Sequence, residues 1–163
     1  MTNVFLIRLD SPIGRIEVLA DDAAVTGLSI ERDGALPHDG APERSNPVLD
    51  RARVELDEYF AGARTEFDLP VRLEGTEFQQ AVWAELGRLG WGEAISYGSL
   101  AAAVGRPGSA RAIGGAVGAN PVPIIVGCHR VLAADGRITG YSGGEGVPTK
   151  LWLLGHERIG FAA

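Results

Sequence analysis

The sequence predicts an α+β fold, on three observations. The first 30 residues alternate apolar and polar positions with the period of a strand. The rest of the chain switches to helical spacing, and clusters of Gly, Pro and Asp punctuate the segments. Val4-Phe5-Leu6-Ile7 reads as a strand, Ser11-Pro12-Ile13-Gly14 as a turn, and Arg15–Ala20 as a second strand. Asp21–Ala24 turns the chain into Val25–Ile30, which completes a three-stranded antiparallel meander. Residues 33–47 form a long loop by composition. Pro47 suits the first turn of a helix with apolar or aromatic positions at 48, 49, 52, 56, 59 and 60, which Gly62 ends.

Residues 63–75 read as an extended linker. Charge shifts there as well: residues 1–75 hold 15 Asp and Glu against 8 Arg, whereas residues 76–163 hold 6 acids against 7 bases. The expected division is therefore an N-terminal domain over 1–75 and a C-terminal domain over 76–163. Thr76 is a candidate N-cap for a helix that buries Phe78, Val82, Trp83, Leu86 and Leu89 and breaks at Gly90-Trp91-Gly92. Ser96–Gly105 reads as a short helix closed by glycine, Arg106-Pro107-Gly108 as a turn, and Ser109 as the cap of a helix from Ala110 to about Gly118. Two short helices joined by such a turn make a helix-turn-helix candidate.

The second of these helices is built from small residues, with Arg111 as its one long side chain. Interior glycine costs a helix about 1 kcal/mol, so another requirement must favour it. Close packing of two backbones and close approach of a bulky ligand such as a DNA groove wall both satisfy that requirement. An apolar strand is expected over 124–126, a glycine-rich loop over 132–147, and a last helix over 148–157.

Composition is globular, with 45% hydrophobic and 22% charged residues. No apolar run is long enough for a transmembrane helix. The first eight residues have no basic n-region and carry a charge by position 8, so they do not read as a signal peptide. With a single cysteine, this places the protein in a reducing cytoplasm. A net charge of −6 argues against nucleic acid, but residues 100–142 carry four arginines (106, 111, 130, 137) and one acid, Asp135. Phosphate responds to that local potential rather than to the whole-chain sum.

The lone cysteine, Cys128, follows Gly127 and precedes His129 and Arg130. Free cysteine commonly packs as a small hydrophobe. A neighbouring histidine or cation instead favours the nucleophilic thiolate. On a strand Cys128 and His129 would point to opposite faces, so contact between them needs a turn or a bridging water. His129 in turn needs an acceptor to fix its tautomer. Glu157 is a candidate because it lies in an apolar neighbourhood, although a carboxylate near a frayed helix end is as easily a surface residue. Nothing around His38 or His156 suggests a ligand set.

The run Asn120-Pro121-Val122-Pro123-Ile124-Ile125-Val126-Gly127-Cys128-His129-Arg130-Val131 resembles the active-site signature of the methylated-DNA–protein-cysteine methyltransferases, the O6-alkylguanine-DNA alkyltransferases. Phe78–Trp83, Ile95–Gly98, Ala110–Gly114, Gly140–Gly144 and the spacing Lys150, Leu153, Leu154, Glu157 resemble the family in the same order. The likeness is dense over about residues 75–160. It implies a ribonuclease H-like N-terminal domain and a C-terminal domain with a winged helix-turn-helix. It also implies repair of O6-alkylguanine, and of O4-alkylthymine, in double-stranded DNA by a monomer that flips the base out.

By the same resemblance Cys128 takes the alkyl group, irreversibly and once. His129, oriented by Glu157, draws off the thiol proton through a water, and Tyr97 protonates the leaving guanine. The substrate pocket would comprise Tyr97, Val126, Gly127, Tyr141, Ser142 and Gly143. The DNA contacts would come from Arg111, which fills the gap left by the extruded base, and from Ser96, Ala110, Gly114, Asn120, Arg130 and Ser142. No cofactor is implied, and the additional N-terminal cysteines of zinc-binding relatives are absent, so no metal is expected. One residue departs from the pattern: Gly127 stands where the family has proline. Glycine frees the backbone that proline fixes, and a less rigidly held nucleophile is expected. The alternatives are a helix-turn-helix protein that binds damaged bases without accepting the alkyl group, and a cysteine hydrolase built on Cys128 and His129.

Overall fold

Strands β1 (Phe5–Leu9), β2 (Ile16–Ala20) and β3 (Val25–Ile30) pair antiparallel in the order β1-β2-β3, as the alternation predicts. The computed structural model describes residues 4–162. Met1, Thr2 and Asn3 of the segment read against a signal peptide lie outside the described residues, as does Ala163. Helix α1 (Pro47–Phe60) starts where Asn46 accepts a hydrogen bond from the Leu49 amide at 2.9 Å, with Pro47 in the first turn. Leu49, Ala52, Leu56 and Tyr59 form its buried stripe against the sheet. Gly62 then takes a φ of +77°, the left-handed geometry that ends a helix at little cost. The linker after it is extended and tied to β3, since Val25 N–H donates to Pro70 O and Arg72 N–H donates to Val25 O.

Helix α2 (Glu77–Leu86) opens on a capping box between Thr76 and Gln79. It closes at Gly87, short of the break at Gly90 that the sequence predicts. Arg88 and Leu89 continue as i to i+3 turns, which carry Leu89 onto the buried side without extending the helix. Two residues, β4 (Ile95–Ser96), lead into α3 (Tyr97–Ala103), and positive-φ glycines 105 and 108 turn the chain into α4 (Ala110–Gly118). Ser109 occupies the cap position of α4 but makes no side-chain cap bond, contrary to its expected role. Helices α2, α3 and α4 enclose a second core of Val82, Trp83, Leu86, Leu100, Ile113 and Val117.

The expected strand at 124–126 is a buried turn. Pro121 and Pro123 have no amide donors for a ladder. Val126 N–H instead donates back to Val122 O at 3.0 Å, and Ile124 sits at a φ of +74°. The run is apolar because its turn is inserted into the core, where Val122 and Ile124 are fully buried against the sheet and α1. After a single 3-10 turn at Cys128–Arg130, β5 (Val131–Leu132) pairs parallel with β4. A loop then leads to α5 (Val147–His156), whose Leu153 completes the first core. No helix among the described residues is long and apolar enough to cross a membrane.

Candidate active site

A 3-10 turn separates successive side chains by about 120°, so Cys128, His129 and Arg130 point three ways. Cys128 is 4% exposed and lines a cavity of about 980 Å³, with its Sγ 3.9 Å from the Tyr141 hydroxyl. Burial pushes the thiol up from its ordinary value, and hydrogen bonds from Asn120 and Tyr141 together with the charge of Lys150 pull back only part of the way.

His129 and Arg130 both turn to Glu157, the residue just past α5. The Glu157 carboxylate is buried and accepts four hydrogen bonds. His129 Nε2 donates to Oε2 at 2.7 Å, Arg130 Nε to Oε1 at 2.8 Å, Arg130 Nη2 to Oε2 at 3.0 Å, and the Tyr59 hydroxyl to Oε2 at 2.6 Å. Burial alone would raise this carboxyl. The bonds from His129, Arg130 and Tyr59 outweigh it and hold the group at about 2. For His129, burial lowers the imidazole pKa against the pull of Glu157, so the ring is neutral at pH 7. An ionised Glu157 assigns the ring proton to Nε2. Nδ1, buried and without a protein partner, is left as a free acceptor.

This geometry corrects the expectation for Arg130. Its guanidinium is buried, bonded to Glu157 and, through Nη1, to Leu89 O at 2.8 Å, so it neutralises an internal carboxylate rather than facing DNA. Glu157, in turn, is an internal residue and not a frayed end.

Tyr97, Ala110, Arg111, Gly114 and Ser142 share the Cys128 cavity. Tyr97 opens α3, and its hydroxyl accepts from Thr139 Oγ1 at 3.4 Å. Ser96 Oγ accepts the Ser99 amide at 3.0 Å and so caps α3. Ser142 Oγ donates to Gly118 O at 2.9 Å, tying the Gly140–Gly144 loop to α4. Asn120 braces the buried turn, donating to Val126 O at 2.8 Å and accepting from Val122 N–H at 3.0 Å. Gly143 lines a second cavity of about 480 Å³, which reaches Cys128 from the side of β3. Val126 and Gly127, expected in the substrate pocket, line neither cavity. Val126 is buried in the second core, and Gly127 backs onto Arg130.

The glycines of α4 are not a packing requirement of the protein, whereas Ala116 is buried in the second core. A Cβ at Gly115 would meet nothing within 4 Å, and those at Gly114 and Gly118 would make only ordinary contacts of 3.9 Å. Close packing of two backbones, one of the two readings open from sequence, therefore does not account for these glycines. Two residues of the site carry no assigned role in the sequence reading: Tyr59 has no distinguishing signal, and Lys150 stands out only as part of a family-like spacing. Tyr59 looks like any core aromatic of an amphipathic helix, 98 residues from Glu157. Lys150 is buried, and its Nζ donates to Val131 O at 2.7 Å and Gly140 O at 3.1 Å, joining the strand after the nucleophile to the loop that carries Tyr141.

Two family models match the chain. One, 6-O-methylguanine DNA methyltransferase, ribonuclease-like domain, covers residues 5–73; the other, 6-O-methylguanine DNA methyltransferase, DNA binding domain, covers residues 77–159. The chain belongs to the 6-O-methylguanine DNA methyltransferase family. The methylated-DNA–protein-cysteine methyltransferase of Haemophilus influenzae is 37% identical over 161 residues, 98% of this chain and 89% of that protein. The constitutive enzyme of that name from Bacillus subtilis is 37% identical over 156 residues, 93% of this chain and 94% of its own length. The crystal structure of the Mycobacterium tuberculosis O6-methylguanine methyltransferase superposes with a TM-score of 0.84 at 40% identity, covering 96% of this chain and 93% of that one. The Mycobacterium tuberculosis OGT in complex with DNA superposes with a TM-score of 0.81 at 41% identity, covering 93% and 91%. For a 6-O-methylguanine DNA methyltransferase the departure at Gly127 is mild in backbone terms. Its φ of −75° is one that proline also adopts.

Proposed function

We propose that this methyltransferase repairs O6-alkylguanine in duplex DNA by moving the alkyl group irreversibly onto Cys128. The observation that supports it best is the nucleophile itself: one buried thiol on the wall of a cavity of about 980 Å³, roomy enough to admit a base, beside a histidine whose other nitrogen is anchored to an ionised carboxylate. Cys128 attacks the alkyl carbon in line with its bond to the guanine oxygen. One S–C bond forms and one C–O bond breaks. The thiol proton passes through a water to Nδ1 of His129, whose resulting charge Glu157 offsets. Tyr97 supplies a proton to the guanine ring, so that a neutral base leaves. No residue here cleaves a thioether, and the protein acts once without a cofactor.

The lesion lies inside the base stack, so the nucleotide must rotate out of the duplex. Helix α4 supplies a smooth surface that approaches the minor groove, and Arg111 occupies the vacated space in the stack. Ser96, Ala110, Gly114, Asn120 and Ser142 shape the contact. O4-alkylthymine presents the same alkyl–oxygen bond and is a second substrate. The protein works as a cytoplasmic monomer. Residues 76–163 form the unit that binds DNA and accepts the alkyl group, and residues 1–75 form a supporting unit whose core the 121–126 turn and Leu153 complete.

Intact-mass analysis after incubation with an O6-methylguanine duplex tests this reading. One methyl group is gained per chain and none by Cys128→Ala. Binding without a mass change would instead establish a damage-recognition protein, and product in excess of protein would establish a hydrolase.

A further inference from the structure

Tyr59 lies near the end of α1, on the N-terminal half of the chain, and is fully buried. Its ring is caged by Phe60, Phe67, Trp91 and His156 at centroid distances of 5.1 to 5.5 Å. Its carbonyl accepts a hydrogen bond from His156 Nε2 at 2.7 Å. Ring and backbone are therefore both fixed, and the hydroxyl has one direction in which to donate: to Glu157 Oε2, at 2.6 Å. That is the same oxygen that His129 Nε2 reaches at 2.7 Å. A tyrosine placed only to fill the core has no need of a carboxylate, and phenylalanine would fill the same volume without burying a hydroxyl.

We propose that Tyr59 is a positioning residue for alkyl transfer, holding Glu157 Oε2 so that His129 remains free to take up the thiol proton. The inference rests on the repair reading above. Three donors share this oxygen, the Tyr59 hydroxyl, His129 Nε2 and Arg130 Nη2, and they compete for its charge. The Tyr59 bond is strongest when His129 is neutral, because an imidazolium would neutralise the carboxylate it donates to. Tyr59 thus favours the neutral ring. The other groups around this carboxylate do not replace it. Arg130 is bonded to both oxygens, Lys150 donates to backbone carbonyls, His156 bonds the Tyr59 carbonyl, and Cys128 and Tyr141 face the cavity. Through this one hydroxyl the N-terminal half takes part in the chemistry.

The test is single-turnover methyl transfer from an O6-methylguanine duplex by the wild-type protein and by Tyr59→Phe, followed across the acid side of the pH profile. In Tyr59→Phe the acid limb moves up by about half to one pH unit, so the rate on that limb falls about 3- to 10-fold while the plateau stays within about twofold. An unshifted limb, at unchanged or uniformly lower rate, overturns the proposal, as does a shift to lower pH. Nitrogen NMR of His129 in the wild-type protein checks the same point without a variant: a neutral ring with its proton on Nε2 agrees, and a proton on Nδ1 overturns it. A wild-type protein that takes up no methyl group at all would strike the repair reading instead.

Discussion

A side chain at position 127 would occupy the place where Arg130 lies. A Cβ built on Gly127 stands 2.9 Å from both Cδ and Nη1 of Arg130, closer than real Cβ contacts come. Arg130 cannot readily yield, because bonds to Glu157 and Leu89 pin its guanidinium. Backbone bonds from Cys128 N–H to Val126 O and from Arg130 N–H to Gly127 O bracket the glycine, restraints that its own conformational freedom does not supply.

Gly127→Ala therefore sets two effects against each other. Restricting the unfolded chain favours alanine by about 0.4–1 kcal/mol, and overpacking against a pinned guanidinium costs about 1–3 kcal/mol. We expect a net loss of about 1–2 kcal/mol in urea unfolding. The loss should vanish when the same change is made in an Arg130→Ala background. Additive effects would show that the two residues do not compete for space.

Acid should unfold the protein in two stages. His129 is buried neutral with its pKa lowered below 6.5. Below that pH the unfolded chain takes up a proton that the folded one refuses, and stability falls. Glu157 is held at about 2 against an ordinary 4.5. Its contribution is complete above about pH 4.5 and is lost as pH falls toward 2. Glu157→Gln should be less stable at pH 7 by about 3–5 kcal/mol, because Arg130 loses its buried counterion. It should also lack the lower stage. Denaturant melts at stepped pH decide this, and a variant that keeps the wild-type slope below pH 4.5 would contradict it.

Arg111→Ala should slow repair of duplex DNA much more than reaction with the free alkylated base, because only the duplex leaves a gap to fill. Parallel rate measurements on the two substrates check this. Equal losses would remove the insertion role.

Asn120→Ala strips partners from Val122 N–H and Val126 O and leaves both in a buried turn. A cost of about 1–3 kcal/mol is expected. The thiol of Cys128 loses a bond that lowers its pKa, so alkylation by iodoacetamide at neutral pH should slow. An unchanged alkylation rate in a folded variant would separate Asn120 from the thiol.

Local patterns carried most of the fold. The meander, α1 with its Pro47 start and Gly62 stop, and the two short helices around Gly105 and Gly108 all follow from alternation, proline and glycine. What was hidden depends on contacts distant in sequence. Ile124-Ile125-Val126 has the composition of a strand, yet the flanking prolines and the Asn120 brace close it into a turn. Ile95 and Ser96 form a strand only because Val131 and Leu132 lie alongside. The site divides the same way. Cys128, His129, Tyr97 and Glu157 stand out by motif, whereas Arg130 reads as a DNA contact until its 27-residue reach to Glu157 is seen, and Tyr59 gives no sign of its reach to that carboxylate.

The burial of Arg130 and Lys150 also bears on how the protein finds its lesion. Both cations are committed to internal acceptors, so over residues 100–142 the exposed arginines are Arg106, Arg111 and Arg137, the last paired with Asp135. Each phosphate neutralised adds about −0.9 to the slope of log affinity against log salt. Titration of duplex binding against salt should give a slope shallower than about −3. With so little counterion release, undamaged DNA holds this acidic protein only weakly, and its residence at a site depends on whether a base leaves the stack.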